Sequence, residues 1–328
     1  VLNKYLLSLL LLTTFPVLAK PQLTIYTYDS FAASWGPGPK VKAAFEANCD
    51  CTVKFVALED GVSLLNRLRL EGQKSSADIV LGLDNNLLQA ARKTGLFAES
   101  RVDTRQLTLP GGWQDSTFIP YDYGYFAFIY NKNRLTDPPR SLQELINSDR
   151  NWTIIYQDPR TSTVGLGLLL WMQKLYGDQA GEQWKKLAKK TITVPKGWSE
   201  AYGLFLKGES DMVLSYTTSP AYHQIEEGDN SYAAANFSEG HYLQIEIAGK
   251  LKNSKHPELA EQFMQFMISP AFQDHIAHGN WMYPVLENAL PAEFKQIAIP
   301  KVALQFSAKD VAQKRSDWTR AWQNAVSH

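Results

Sequence analysis

The residues with the clearest chemical capacity in this 328-residue chain are carboxylates and aromatic rings that follow short apolar runs. Tyr28-Asp29-Ser30 closes one run, Glu59-Asp60-Gly61 the next and Asp84-Asn85-Asn86 a third. Trp198, Tyr216, Tyr222 and Trp281 lie in segments that read as loops rather than core elements. Aromatic faces beside a carboxylate suit a flat organic cation: the rings stack on it and attract its charge, and the carboxylate balances that charge. Asp29 and Asp60 are candidate counter-charges; Tyr28, Trp198, Tyr216, Tyr222 and Trp281 are candidate walls. For Asp84 and Asn86, helix capping explains the residue type equally well. Asp158-Pro159-Arg160-Thr161-Ser162-Thr163 places several hydroxyls at the start of a helical run. Unpaired N–H groups and the helix dipole there favour an anion, with plain capping as the alternative. His223, His241, His275 and His278 form no nucleophile–base pair at recognisable spacing.

These residues need a scaffold that gathers strand ends. Residues 23–28, 52–58 and 77–81 read as strands, and 41–47, 63–71 and 86–94 as helices, the last closed by Gly95. The order βαβαβα predicts a doubly wound α/β layer, in which ligands bind beyond the carboxyl ends of the strands. Residues 121–131 then break the pattern as an aromatic extended segment, and 231–249 contain a second. Between them strands are expected at 152–156, 191–194 and 211–215, and helices at 164–176, 179–190 and 199–206. One α/β lobe is therefore expected inside another, joined by two extended hinge crossings. Helices at 257–267, 270–278 and 309–326 form a tail expected to return to the first lobe. The expected divisions are a leader at 1–19, the first lobe from 20–122, the second from 123–240, and the return from 241–328.

Lys4, the apolar stretch 6–12 and Val17-Leu18-Ala19 read as a cleavable export signal, too short to cross a bilayer. Removing those 19 residues leaves 309, long enough for two lobes. The remainder carries 32 basic and 33 acidic residues, a net charge near −1. That balance gives no support to a nucleic-acid or anionic-membrane partner, which calls for a basic excess. Cys49 and Cys51 flank Asp50. A disulfide is expected, because exported thiols seldom stay reduced, although the ring it closes is small. No further Cys or His stands near enough to complete a metal site, and no cofactor motif is present.

Six segments carry a resemblance: Thr27-Tyr28-Asp29-Ser30-Phe31, Leu58-Glu59-Asp60-Gly61, Gly82-Leu83-Asp84-Asn85-Asn86, Tyr156-Gln157-Asp158-Pro159-Arg160-Thr161-Ser162-Thr163, Lys196-Gly197-Trp198-Ser199-Glu200-Ala201-Tyr202 and Ser215-Tyr216-Thr217-Thr218-Ser219-Pro220-Ala221-Tyr222. In this order, over essentially the whole exported part, they resemble the periplasmic thiamine-binding receptors of bacterial ABC importers. The resemblance implies a two-lobe periplasmic binding protein fold of type II that closes around thiamine, thiamine monophosphate or thiamine diphosphate. It also implies delivery to an ABC permease with a cytoplasmic ATPase. Ligand contacts are implied at Asp60 with Gly61, Ser162 with Thr163, Trp198, and Tyr216, Thr217, Thr218 and Ser219. The ligand's chemistry agrees with the residues: an aminopyrimidine to stack, a thiazolium cation to neutralise, and an arm whose phosphate suits Ser162 and Thr163.

Three alternatives remain at this level. A polyamine receptor of the same architecture would use carboxylates and aromatics without needing the hydroxyl cradle. A ferric-ion receptor is disfavoured, since it usually uses adjacent tyrosines and the chain has no Tyr-Tyr pair. A thiaminase-like enzyme would need a cysteine nucleophile in the cleft. Cys49 and Cys51 precede the second strand, at the amino ends of the strands and away from the expected site.

Overall fold

The computed structural model describes residues 19–327; the export signal falls outside them except at Ala19. The first lobe opens with β1 (Gln22–Tyr28), a one-turn α1 (Asp29–Ala32), α2 (Gly38–Glu46), β2 (Thr52–Leu58), α3 (Gly61–Glu71), β3 (Ile79–Asp84) and α4 (Leu88–Arg92). The long β4 (Ile119–Asn131) leads to the second lobe. That lobe holds α5 (Leu142–Asn147), β5 (Ile154–Ile155), α6 (Thr163–Tyr176), α7 (Ala180–Ala188), β6 (Thr191–Thr193), α8 (Trp198–Leu206), β7 (Met212–Tyr216), α9 (Pro220–Glu226) and β8 (Tyr232–Ala234). The chain returns through β9 (His241–Lys250) to α10 (Pro257–Met267), α11 (Pro270–Ala277), β10 (Tyr283–Pro284), β11 (Ala303–Leu304) and α12 (Ala308–Val326).

The local causes are readable. Asp60 caps α3 by accepting from the Gly61 N–H, and Gly72, at φ 54°, ends it in the left-handed region that glycine tolerates. Ser162 caps α6 by accepting from the Val164 and Gly165 N–H groups. Proline opens α9, α10 and α11, where a missing N–H breaks no helical bond. Every residue of β3 is buried, the pattern of a strand covered on both faces.

The strands run in the order β2-β1-β3-β9-β4-β7-β5-β6, one hydrogen-bonded path through both lobes. β1, β2 and β3 are mutually parallel where they pair. β9 is antiparallel to both β3 and β4, so the first layer is mixed rather than purely doubly wound. β4 is the crossing strand. Its residues 119–125 pair with β9, and 126–130 pair with β7. The extended stretch expected at 231–249 is two strands: β8 pairs with the far end of β4, and β9 makes the crossing. The expected lobe boundaries thus fall inside β4 and at the start of β9.

The tail differs from expectation at α12. Instead of lying on the first lobe alone, it packs against α7 and α6 of the second as well as α4 of the first. Trp322 on α12 is buried, and its Nε1 donates to the Tyr156 hydroxyl at 3.1 Å. A helix that buries apolar side chains settles on whichever face offers them. Here that face includes Trp184 of α7, whose ring centroid lies 6.5 Å from that of Trp322.

Candidate functional site

The carboxyl ends of β1 and β2 and the amino ends of α6 and α8 meet across the junction of the lobes. Between them is a cavity of about 360 Å³. Its carboxylates are Glu59, Asp60 and Glu246, and among the described residues no lysine, arginine or histidine lines it. Its rings are Tyr28, Trp35, Trp198, Tyr202, Tyr216, Tyr222 and Trp281. A cleft with aromatic walls and carboxylates and without a cation among its lining residues is complementary to a flat positive ligand.

Asp60 is the centre of the lobe junction. One oxygen, Oδ1, accepts from the Gly61 N–H at 2.7 Å, the Thr163 hydroxyl at 3.0 Å and the Thr163 N–H at 3.2 Å. The other, Oδ2, accepts from the Ser162 hydroxyl at 2.6 Å and the Trp198 N–H at 3.3 Å. Burial raises the carboxyl above its ordinary range, against the opposing pull of these donors. The hydroxyl cradle foreseen for a ligand phosphate therefore holds a carboxylate of the protein itself. Further bonds cross the junction: the Ser63 N–H donates to the Thr161 carbonyl at 2.9 Å, and Asn66 Nδ2 to the Arg160 carbonyl at 3.2 Å. The lobes are closed upon each other.

Two glycines permit that approach. A Cβ on Gly61 would stand 2.2 Å from the Gly82 carbonyl oxygen and 2.5 Å from Thr163 Cγ2. A Cβ on Gly197 would stand 2.4 Å from the Glu59 carbonyl oxygen in the facing lobe.

The aromatic wall is ordered by contacts within it. The Trp198 ring stacks on Tyr202 at 4.9 Å and faces Trp35 at 6.4 Å. Its Nε1 donates to Ser215 Oγ at 2.8 Å, which fixes the indole plane. Trp281 meets Tyr222 edge-on at 5.5 Å. Trp281 also has φ 56°, an outlying conformation for a bulky residue, and the Thr218 hydroxyl bonds its carbonyl at 2.5 Å. Backbone strain held by surrounding contacts is a frequent mark of a binding site. The Tyr216 hydroxyl donates to Gln244 Oε1 at 2.6 Å, which turns its ring to the cavity. Trp198→Ala is expected to weaken ligand binding by about 1–3 kcal/mol, the range of a desolvated cation–π and stacking contact. Titration calorimetry on the folded variant checks it, and unchanged affinity would remove Trp198 from the site.

Of the residues singled out in the sequence, Tyr28, Asp60, Thr163, Trp198, Tyr216, Ser219, Tyr222 and Trp281 line the cavity. Five do not. Asp29 is exposed at the rim, where its Oδ1 accepts from the Ser199 hydroxyl at 2.7 Å. Gly61 and Ser162 lie behind Asp60 as its donors. Thr217 is buried with its N–H on the Tyr125 carbonyl, and Thr218 positions Trp281. Asp84 is a turn carboxylate: it accepts from the Asn86 and Leu87 N–H groups, and burial pushes it up to about 6. Trp35, Glu59, Tyr202, Glu246 and Asn280 also line the cavity and were not singled out as ligand residues from sequence. Cys49 and Cys51 are bonded to each other before β2, and neither lines the cavity.

Residues 13–274 match the family model described as bacterial extracellular solute-binding protein. The chain is 67% identical over 324 residues to the thiamine-binding periplasmic protein of Escherichia coli strain K12, covering 99% of each. It is 66% identical over 326 residues to the protein of that name from Salmonella typhimurium, again covering 99% of each. A solved structure described as a periplasmic thiamin binding protein superposes with TM-score 0.93 at 67% identity, covering 94% of this chain and 97% of that one. The fold, the cleft between its lobes and these relatives agree: the chain belongs to the bacterial extracellular solute-binding proteins and, within them, to the family of thiamine-binding periplasmic proteins.

Proposed function

We propose that this protein is a periplasmic receptor that captures thiamine by closing its two lobes and delivers it to an ABC permease with a cytoplasmic ATPase. The observation that carries the reading is the cavity between the lobes, with aromatic walls, three carboxylates and, among the described residues, no cationic side chain. The thiazolium supplies the positive charge that such a site lacks, and the aminopyrimidine supplies a face for stacking. Relatives named as thiamine-binding, at 66% and 67% identity, support the same ligand. Among the described residues no helix is long and apolar enough to cross a membrane, in keeping with a receptor that meets its permease from outside. The reading is of a carrier and not a catalyst, because the cysteines that could serve as nucleophile are joined to one another outside the cavity.

Thiamine monophosphate and diphosphate belong to the proposal as further ligands. Their phosphates suit the start of α6, where they compete with Asp60 for the Ser162 and Thr163 donors. The deciding experiment is calorimetric titration of protein unfolded and refolded to strip carried ligand, with thiamine, thiamine diphosphate and spermidine in parallel. Submicromolar binding confined to the thiamine compounds is the expected result. Binding of spermidine alone would keep the receptor and overturn its ligand. Slow continuing heat with thiamine, in place of saturation, would overturn the carrier reading in favour of an enzyme.

A further inference from the structure

The floor of the cleft contains a pair of carboxylates on the two crossing strands. Asp122 of β4 and Glu246 of β9 stand directly opposite each other in the antiparallel register. They are 0% and 5% exposed. Asn280 Nδ2 ties them together, donating to Asp122 Oδ2 at 2.7 Å and to Glu246 Oε2 at 3.0 Å. The Tyr28 and Tyr121 hydroxyls donate to the same Glu246 oxygen at 2.8 and 3.2 Å.

Two buried carboxylates held this way do not both ionise, since their repulsion and desolvation return a proton to one of them. The donors decide which. Three reach Glu246 Oε2 and one reaches Asp122 Oδ2, while Asp122 Oδ1 is buried with no partner. Donors stabilise the charged form, so the charge rests on Glu246 and the proton on Asp122. Burial, then the charge of Glu246, raises Asp122 well above its ordinary value. Glu246 is pushed up to about 7, chiefly by burial. Of the two, Glu246 lines the cavity, beside Tyr28 and Asn280.

We propose that Glu246, kept ionised by Asp122 as its proton-bearing partner, is the acceptor for the cationic heterocycle at the floor of the cleft. Asp122 is a positioning residue that acts through Glu246. This rests on the reading of thiamine as ligand and adds an ionisation, located in the hinge strands, on which capture depends. The groups around Glu246 are Asp122 and Tyr121 from β4, Tyr28 from β1, Asp84 opposite it on β3, Asp60 at the start of α3 and Tyr216 of β7. All are acidic or neutral, so no positive charge beside Glu246 holds it ionised as the pH falls. Glu246 gains a proton as pH drops through about 7, and affinity for a cation falls with its charge.

The test is calorimetric titration of the refolded full chain with thiamine between about pH 5.5 and pH 8, for wild type, D122N and E246Q, with circular dichroism to establish folding. Wild-type affinity is expected to fall below about pH 7, by up to about tenfold per unit. E246Q is expected to lose about tenfold or more at pH 8 and to lose the acid limb. Asn replaces a protonated carboxyl closely, so D122N is expected to stay within about threefold of wild type at pH 8 and to keep its acid limb near that of wild type. Should either variant fail to fold, wild-type titrations in buffers of different ionisation heat give the second readout: a fraction of a proton released on binding near pH 7. A flat wild-type profile with no proton exchange, an unaltered E246Q, or one acid limb common to all three proteins would overturn the proposal while leaving thiamine as the ligand. Absence of thiamine binding by wild type at every pH would overturn the ligand reading, and this inference with it.

Discussion

Asp60→Ala is expected to lower thiamine affinity by about 3 kcal/mol, roughly a hundredfold, the scale of lost hydrogen bonds to a buried charged group. Asp60 accepts from Ser162, Thr163 and Trp198 in the facing lobe, so its removal leaves the start of two helices without an acceptor in the closed state. In the open state water satisfies the same donors, and the equilibrium shifts toward opening. Asp60→Asn separates charge from contact. It keeps one acceptor oxygen but removes the negative charge from the anion position at α6. Its loss toward thiamine should be smaller than that of the alanine variant, and diphosphate should gain relative to thiamine. Calorimetry gives both affinities, and small-angle scattering with saturating ligand reports closure. An alanine variant that closes and binds as wild type does would show that the four bonds across the junction follow closure without supporting it.

The second large effect is expected from Gly197→Ala. The added methyl would stand 2.4 Å from the Glu59 carbonyl oxygen, and the three nearest heavy atoms all belong to Glu59 in the other lobe. With φ −144°, Gly197 has a backbone that alanine adopts freely, so the second lobe itself is undisturbed. Only closure meets the obstruction. Overpacking of this kind costs about 1–3 kcal/mol, and affinity should fall by about 5- to 150-fold while the melting temperature without ligand stays put. An equal drop in that melting temperature would place the damage inside the lobe and sink the closure argument. Gly61→Ala is a poorer probe of the same junction, because its methyl also strikes the Gly82 carbonyl within the first lobe.

Much of this architecture was legible in the residues, for reasons that also explain the gaps. β2, α10 and the body of α6 carry an unambiguous period and clear ends, and the structure places them within a residue of expectation. α1, α5 and α9 have four, six and seven residues, too few for a period to emerge against the surrounding loop composition. Trp198, Tyr216, Tyr222 and Trp281 drew notice because they read as rings in loops; the structure keeps only Trp281 in a loop, with Trp198 opening α8, Tyr216 closing β7 and Tyr222 on α9. Trp35 is equally a loop ring, 59% exposed, but no carboxylate or strand end adjoins it in sequence to draw notice. Glu246 was hidden for the opposite reason. In His241–Lys250 the polar residues alternate with apolar ones as they would on a strand with one wet face. Only the pairing of β9 with both β3 and β4 makes that second face the floor of a cleft. Ser162 and Thr163 were correctly placed at a helix start, yet sequence spacing could not reveal that Asp60, 102 residues earlier than Ser162, already occupies their donors.

The route of β4 has a mechanical meaning. Its ladder passes from β9 to β7 between Tyr125 and Phe126 without a loop, so the lobes share one bonded sheet. Such a junction behaves as a leaf spring rather than a pin. Opening the cleft must twist a continuous ribbon, and the distortion is spread over many backbone bonds instead of being concentrated in a few freely turning dihedrals. Glu246 and Tyr216 of that sheet line the cavity, so a ligand held there as proposed would load the spring directly, making occupancy and the spacing of the outer lobe faces one mechanical variable.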